Sequence, residues 1–190
     1  TNLIPLHKWT HLAVTLSSTG LYQIYFNGIL DTSVSLPGTL PVANTDSLYI
    51  GSTGSSTEFT GQIDEVRIWN SNLAALEIKY LMKSTLGVSG DGTFNKLVLS
   101  IPFQNNTGSG PVFSAMDHSD KLNHGFIRNV TAFDLKDRPS GMHVMSDCVN
   151  LSTAGYLSAP DNSTVSPSAK LTIECWIFPK TQNYGIIYKG

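Results

Sequence analysis

Short runs of alternating apolar and polar residues, separated by turn-forming residues, dominate this 190-residue chain. In the first run, Leu12, Val14 and Leu16 fall on one face of an extended strand, because successive side chains of a strand point to opposite sides. Asn27-Gly28 follows the next run directly, and this pair is typical of a two-residue hairpin turn, since both residues tolerate a positive φ. The pattern predicts an all-β fold of antiparallel strands.

The composition supports strands over long helices. Charged residues make up only 14% of the chain, whereas Ser, Thr and Asn together account for 53 residues. Long surface helices are built from Glu, Lys, Ala and Leu instead. We expect one short helix near residues 73–83, and Asn72 or Ser71 is predicted to cap its N-terminus. Its apolar stripe is predicted to consist of Leu73, Leu76 and Tyr80.

Several function classes lack their sequence signals. The net charge is -2 and no stretch clusters Lys and Arg, so we expect no nucleic-acid partner. No apolar run approaches the ~18 residues of a membrane span. No two acidic residues lie two or four positions apart, as a catalytic carboxyl pair on one strand would need. His7 and His11 lie about 13 Å apart on an extended chain, too far to share a metal, and are interpreted as rim or surface residues. The chain is therefore predicted not to be an enzyme.

Four motifs then follow one another in a fixed order: WTHLAVT at 9–15, YFNG at 25–28, IGS at 50–52 and GQIDEVRIWN at 61–70. Together they resemble the closing half of laminin-G-like, concanavalin A-like jelly-roll domains. Residues 97–103, 117–125, 171–176 and 186–190 resemble the opening half of the same family. The resemblance implies an antiparallel β-sandwich, and it implies a structural role for Asp64 and Glu65 beside Arg67 and Trp69.

The two halves occur in reversed order. We predict a closing half at 1–84, a linker at 85–95 and an opening half at 96–190, which complete each other within the chain or with neighbouring chains. Half of a jelly roll leaves an open sheet edge, so each half needs a partner. A tandem array or head-to-tail filament is favoured here, with copies of the chain or adjacent repeats as partners. A permuted single domain is the alternative, and pairing of the two halves within one chain would contradict the array.

Two kinds of structural site remain open at this stage. Cys148 and Cys175 either form a disulfide or stay as two buried thiols. Asp117, Asp120 and Asn123 share one polar loop and are candidate ligands for calcium, the ion that hard oxygen ligands would bind in a secreted sandwich. The alternative for this loop is a hydrogen-bonded turn.

The remaining candidates concern glycans. The second half contains four N-glycosylation sequons, and we expect a glycan on at least one of the three in or beside loops, with Asn150 disfavoured because it lies in a strand-like run. Tyr184, beside two amide side chains, is a weak candidate for sugar contact. The four sequon residues are Asn105, Asn129, Asn150 and Asn162.

These observations predict a secreted, non-catalytic β-sandwich that acts as a structural or adhesive extracellular module. A carbohydrate-binding lectin module, with or without calcium, is the alternative. Binding to a defined sugar that depends on calcium would favour the lectin.

Overall fold

In the residues that it describes, a computed structural model of the chain defines thirteen strands and one α-helix. It describes residues 3–41, 44–53, 58–84, 86, 95–103, 112–130, 132–134, 148–152, 154–166, 169–182 and 185–189. The elements are β1 (Thr10–Leu16), β2 (Leu21–Phe26), β3 (Ile29–Ser35), β4 (Leu48–Ile50), β5 (Gly61–Trp69), α1 (Ala75–Leu81), β6 (Leu97–Ile101), β7 (Val112–Ala115), β8 (Gly125–Arg128), β9 (Ala132–Asp134), β10 (Cys148–Leu151), β11 (Tyr156–Ala159), β12 (Leu171–Pro179) and β13 (Ile187–Lys189). A 3₁₀ turn, Ser163–Val165, precedes β12.

The strands form two antiparallel sheets. The larger has eight strands in the order β3-β2-β1-β12-β5-β10-β9, and β6 pairs with β5 beside β10. The smaller has five strands in the order β13-β4-β11-β8-β7. One core of buried apolar side chains from both sheets lies between them. The predicted all-β antiparallel sandwich is therefore confirmed. In the described residues, no helix is long and apolar enough to cross a membrane.

The two halves of the chain, residues 1–84 and 96–190, are called the first and the second segment here. They pair with each other inside both sheets. In the larger sheet, β12 from the second segment lies between β1 and β5 from the first, and all of its register partners come from these two strands. In the smaller sheet, β4 from the first segment lies between β11 and β13 from the second. Closure is therefore within the chain.

Pairing of the two halves within one chain contradicts the predicted tandem array or head-to-tail filament, so that prediction is wrong. Its physical basis was that each half needs a partner for its open edges and apolar face. The other half supplies that partner here, and the permuted single sandwich accounts for both halves.

The hairpin turn agrees with the sequence prediction, whereas two strands were missed. Asn27 and Gly28 have φ angles of 51° and 74° and connect Phe26 to its pairing partner Ile29. Both missed strands lie in the second segment, and they are short, since β7 has four residues and β9 has three. Short strands of this kind carry too few residues for an alternating pattern to be recognised.

Helix α1 lies where it was predicted, but its start and its buried face differ. The N-cap is Ala74, whose N–H donates to the Glu77 carboxylate at 2.6 Å, so neither Ser71 nor Asn72 caps it. The buried helix residues are Ile78 and Leu81, whereas Leu76 is 80% and Tyr80 73% exposed. Of the predicted stripe, Leu73 is buried, but Leu76 and Tyr80 are wrong, because a one-residue change in register rotates a helix by about 100°.

Candidate functional site

Four ionisable side chains meet beneath helix α1 on the outer face of the larger sheet, and we call them the buried charge cluster: His11, Glu65, Arg67 and Glu174. Alternation places them there, because the neighbouring residues Ile68, Cys175 and Ile177 face the core between the sheets. Glu174 is directly opposite Arg67 across the β12–β5 pair. No cluster side chain is more than 2% exposed.

Arg67 lies at the centre of the cluster. Its Nη2 atom is 2.7 Å from Glu65 Oε2, and its Nη1 atom is 3.4 Å from Glu174 Oε1. Glu65 and Arg67 are two positions apart on β5 and therefore share a face, and the register with β12 shifts beside them, where Glu65 has a positive φ of 49°. Arginine suits this position because its planar guanidinium donates several hydrogen bonds at once.

The same guanidinium holds the chain that follows helix α1. Arg67 donates to the carbonyl oxygens of Leu81 and Ser84 at 2.8 and 2.5 Å. Trp176 Nε1 donates to the carbonyl of Met82 at 3.0 Å. Side chains of the sheet therefore satisfy three carbonyl groups at or just after the C-terminus of the helix. The cluster therefore fixes the helix against the sheet as well as joining the two segments of the chain.

Glu174 comes from the second segment and contacts the first segment on several sides. Its Oε1 atom accepts a hydrogen bond from Trp69 Nε1 at 3.1 Å, and its Oε2 atom lies 3.4 Å from His11 Nε2. Burial by itself raises the pKa of Glu174, but the nearby His11 ring, the positive charge of Arg67 and the hydrogen bond from Trp69 outweigh it and hold that pKa below the ordinary value of 4.5. The carboxylate is thus ionised in the folded protein at neutral pH.

The lowered pKa of Glu174 predicts acid sensitivity. A group whose pKa is lower in the folded than in the unfolded chain stabilises the fold above the unfolded pKa, and this contribution is lost as the pH falls through the folded pKa. We expect the free energy of unfolding, measured by urea denaturation, to fall below about pH 4.5 with a slope of up to about 1.4 kcal/mol per pH unit from this group.

The Glu174→Gln variant is expected to show a shallower acid slope than the wild type. Asp120→Asn is the matched control, because Asp120 is an exposed carboxyl, and its slope should equal that of the wild type. Equal slopes for the wild type and Glu174→Gln would contradict the assignment of the acid sensitivity to Glu174.

Two carboxylates from distant positions do converge here, but their setting is that of a structural cluster. Glu65 and Glu174 both contact Arg67 and are 2% and 0% exposed. Retaining glycosidases need two carboxyls that reach the substrate. These two are covered by the helix and neutralised by Arg67, which agrees with the structural interpretation of the Glu65 and Arg67 motif.

The expectation that His11 is a rim or surface residue is wrong, because the residue is only 1% exposed. Its ring packs edge-on against Trp176, with 5.3 Å between ring centroids. Sequence reasoning also passed over Glu174. A signal existed, because a lone acid in a strand with large side chains on both faces must find a buried partner.

The candidate calcium loop is hydrogen-bonded throughout. Both oxygens of the buried Asp117 carboxylate accept hydrogen bonds from the protein, from the N–H groups of Ser100, Ser119 and Asn123 and from the Ser119 hydroxyl, at 2.7 to 2.9 Å. Asp120 is exposed and lies outside this arrangement. Among the described residues no group of three His, Cys, Asp or Glu side chains could hold a metal ion. The geometry is that of the hydrogen-bonded turn, and calcium binding stays a prediction.

Cys148 and Cys175 are both buried thiols, so the disulfide considered for them is not formed. The sheet order explains this, because β5 lies between β10 and β12. Adjacent strands are about 4.8 Å apart, so residues two strands apart are separated by roughly 10 Å, beyond the ~7 Å Cα separation that a disulfide spans. Burial, with the charge of Glu174, raises the pKa of Cys175 to about 12, which makes it a poor nucleophile.

The sequons differ in accessibility. Asn129 follows β8, is exposed and donates to the carbonyl of Ala154 at 3.1 Å. Asn162 is exposed and caps the 3₁₀ turn by accepting from the N–H of Thr164 at 3.1 Å. Asn150 lies within β10, half-buried, between β5 and β9. Asn105 and the sugar-contact candidate Tyr184 lie outside the described residues.

The fold is an antiparallel β-sandwich, and its buried charge cluster holds strands and helix of the same chain together. Residues 1–79 match the laminin G family model described as the Concanavalin A-like lectin/glucanases superfamily. The match confirms the resemblance for the first segment and spans β1–β5 with most of α1. No curated protein and no solved structure matches the chain.

Proposed function

We propose that the chain is a non-catalytic extracellular β-sandwich module with a structural or adhesive role. The proposal rests on the buried charge cluster. The two carboxylates that converge there are buried, and they help to join β1, β5 and β12 under helix α1. The superfamily match supports a sandwich module of lectin-like type.

A surface suited to contact lies at one edge of the larger sheet. Strand β3 ends the strand order, and four apolar side chains at or beside it are 45–69% exposed. An open edge with exposed apolar side chains favours association with another chain. This feature supports an adhesive role in which copies of the chain are the partners. The four residues are Ile29, Leu30, Val34 and Leu36.

The extracellular part of the proposal rests on the exposed sequons. Asn129 and Asn162 both lie outside strands, where the glycosylation machinery reaches its acceptor. When the chain is expressed through a eukaryotic secretory pathway, we expect its intact mass to fall on enzymatic deglycosylation. A double Asn129→Gln, Asn162→Gln variant should lose most or all of this shift.

Asn150→Gln is the matched control, because Asn150 is held in a strand between two neighbours, and the shift should be unchanged by it. A secreted, folded protein with no mass shift on deglycosylation would remove the support that the sequons give to an extracellular role.

A further inference from the structure

The larger sheet extends past the smaller sheet on one side of the sandwich. β13 ends the smaller sheet, and its Ile187 lines an apolar groove together with Leu171 and Ile173 of β12. β13 therefore lies opposite β12, since the strands of two packed sheets face each other across about 10 Å. Beyond β12 the larger sheet continues through β1, β2 and β3, and we call these three strands the overhang.

The core between the sheets does not reach under the overhang. Its buried apolar residues in the larger sheet come from β5, β6, β10 and β12, and no residue of β2 or β3 belongs to it. Of β1, only Leu12 packs against it. All residues of these three strands are described, so the smaller sheet covers the larger one from β12 toward β10 and stops before β1.

The inner face of the overhang is apolar. Residues directly opposite each other on neighbouring antiparallel strands point to the same face. The β12 residues that face the core are opposite alternate residues of β1, which in turn are opposite alternate residues of β2 and then of β3. The apolar residues placed on the inner face by this register are Leu12, Val14, Ile24, Phe26, Ile29 and Val34.

This face is open to solvent and uncharged. Ile29 is 69% and Val34 45% exposed, and the other four residues are half-buried. The overhang contains no Lys, Arg or Glu, and Asp31, its only acid, lies at the register shift between β2 and β3. None of the four sequons lies in these strands. A contiguous apolar face of this kind marks a site of protein contact.

We propose that the overhang of a second copy of the chain covers this face, and the proposal rests on the adhesive contact between copies described above. A rotation of 180° about an axis parallel to the strands places the second overhang beneath the first and beside β13. The two inner faces then pack together at about 10 Å, the spacing of two sheets within one sandwich. Each overhang continues the smaller sheet of the other copy.

Shape and chemistry both favour a copy of the chain as the partner. The space under the overhang is one sheet thick and three strands wide, and the overhang of a second copy has these dimensions. Both faces are apolar and without charge, so their contact leaves no unpaired charge buried. The contact is isologous and closes at two copies, because one rotation buries both open faces.

Sedimentation equilibrium of the folded chain tests the proposal. Three strands of six to seven residues form a face about 14 Å wide and 20 Å long, which is smaller than the roughly 800 Å² per partner of a standard interface. We therefore expect a reversible dimer with a dissociation constant of about 1 to 100 µM. Ile29→Lys and Val34→Lys should each weaken it by about tenfold or more, since a charge is then buried without a partner.

Leu30→Lys is the matched control. Leu30 is the next residue of the same edge strand and is 47% exposed, but it is opposite Tyr25, which packs on the outer face under helix α1. This variant should change the dissociation constant by less than about twofold. Thermal melts of the three variants establish that they are folded.

Three results would overturn the proposal. If Leu30→Lys weakens association as much as Ile29→Lys does, copies meet through the edge of β3, and the adhesive role stands without this contact. Growth beyond dimers would contradict an isologous contact. A wild-type chain that stays monomeric up to about 500 µM would remove both the dimer and the support for copies as adhesive partners, and would assign the face to another protein.

Discussion

Fragments 1–86 and 95–190, prepared separately, are expected to be unfolded, and mixing them is expected to restore the sandwich. In the first fragment β1 and β5 lose β12, the strand between them, and in the second β11 and β13 lose β4. Each fragment then exposes half of the core and several sheet edges, which a chain of this size cannot compensate.

Circular dichroism and tryptophan fluorescence measure both parts of this prediction. Each fragment alone should show no cooperative thermal transition, and an equimolar mixture should show one. A second fragment that carries Ile173→Pro is the control, because a proline in the middle of a central strand cannot pair on both sides, so it should not restore the transition. A cooperative transition in either isolated fragment would show that the halves fold independently.

Arg67→Met is expected to destabilise the intact protein by about 3–5 kcal/mol. The substitution leaves Glu65 and Glu174 buried beside each other without a cation and removes the donors for the Leu81 and Ser84 carbonyls. The loss is large because burying a charge without its partner costs far more than an exposed ion pair contributes. Urea denaturation at neutral pH measures the change in the free energy of unfolding.

Two further variants separate the charge from the packing. Asp161→Asn breaks a partly exposed pair with Lys189 and should cost less than about 1 kcal/mol. Adding Glu65→Gln and Glu174→Gln to Arg67→Met removes the uncompensated charges and should recover part of the lost stability. A loss below about 1 kcal/mol for Arg67→Met would show that the cluster is not a major source of stability.

The fold was predictable wherever one residue pattern determined one local structure. Large side chains on both faces of residues 171–178 indicate a central strand, and β12 lies between β1 and β5 with Trp176 donating to the Met82 carbonyl at the end of helix α1. Asn27-Gly28 indicated a hairpin because few residue pairs tolerate two positive φ angles.

The partner of each half and the members of the cluster depend on distant contacts. Pairing between β1 and β12 joins residues about 160 positions apart, and a strand's own residues do not state which strand it will pair with. For the same reason His11 read as a rim residue, since its burial comes from Trp176 and Glu174 in the other segment.

The position of β12 also has a consequence for how the chain folds as it is synthesised. About 100 residues separate the end of β5 from the start of β12. At a synthesis rate of roughly 5–20 residues per second, β1 and β5 wait on the order of 5–20 s before the strand that joins them exists. During that interval the first segment presents unpaired edges to any neighbouring chain, so chaperones are expected to engage it before the sandwich closes.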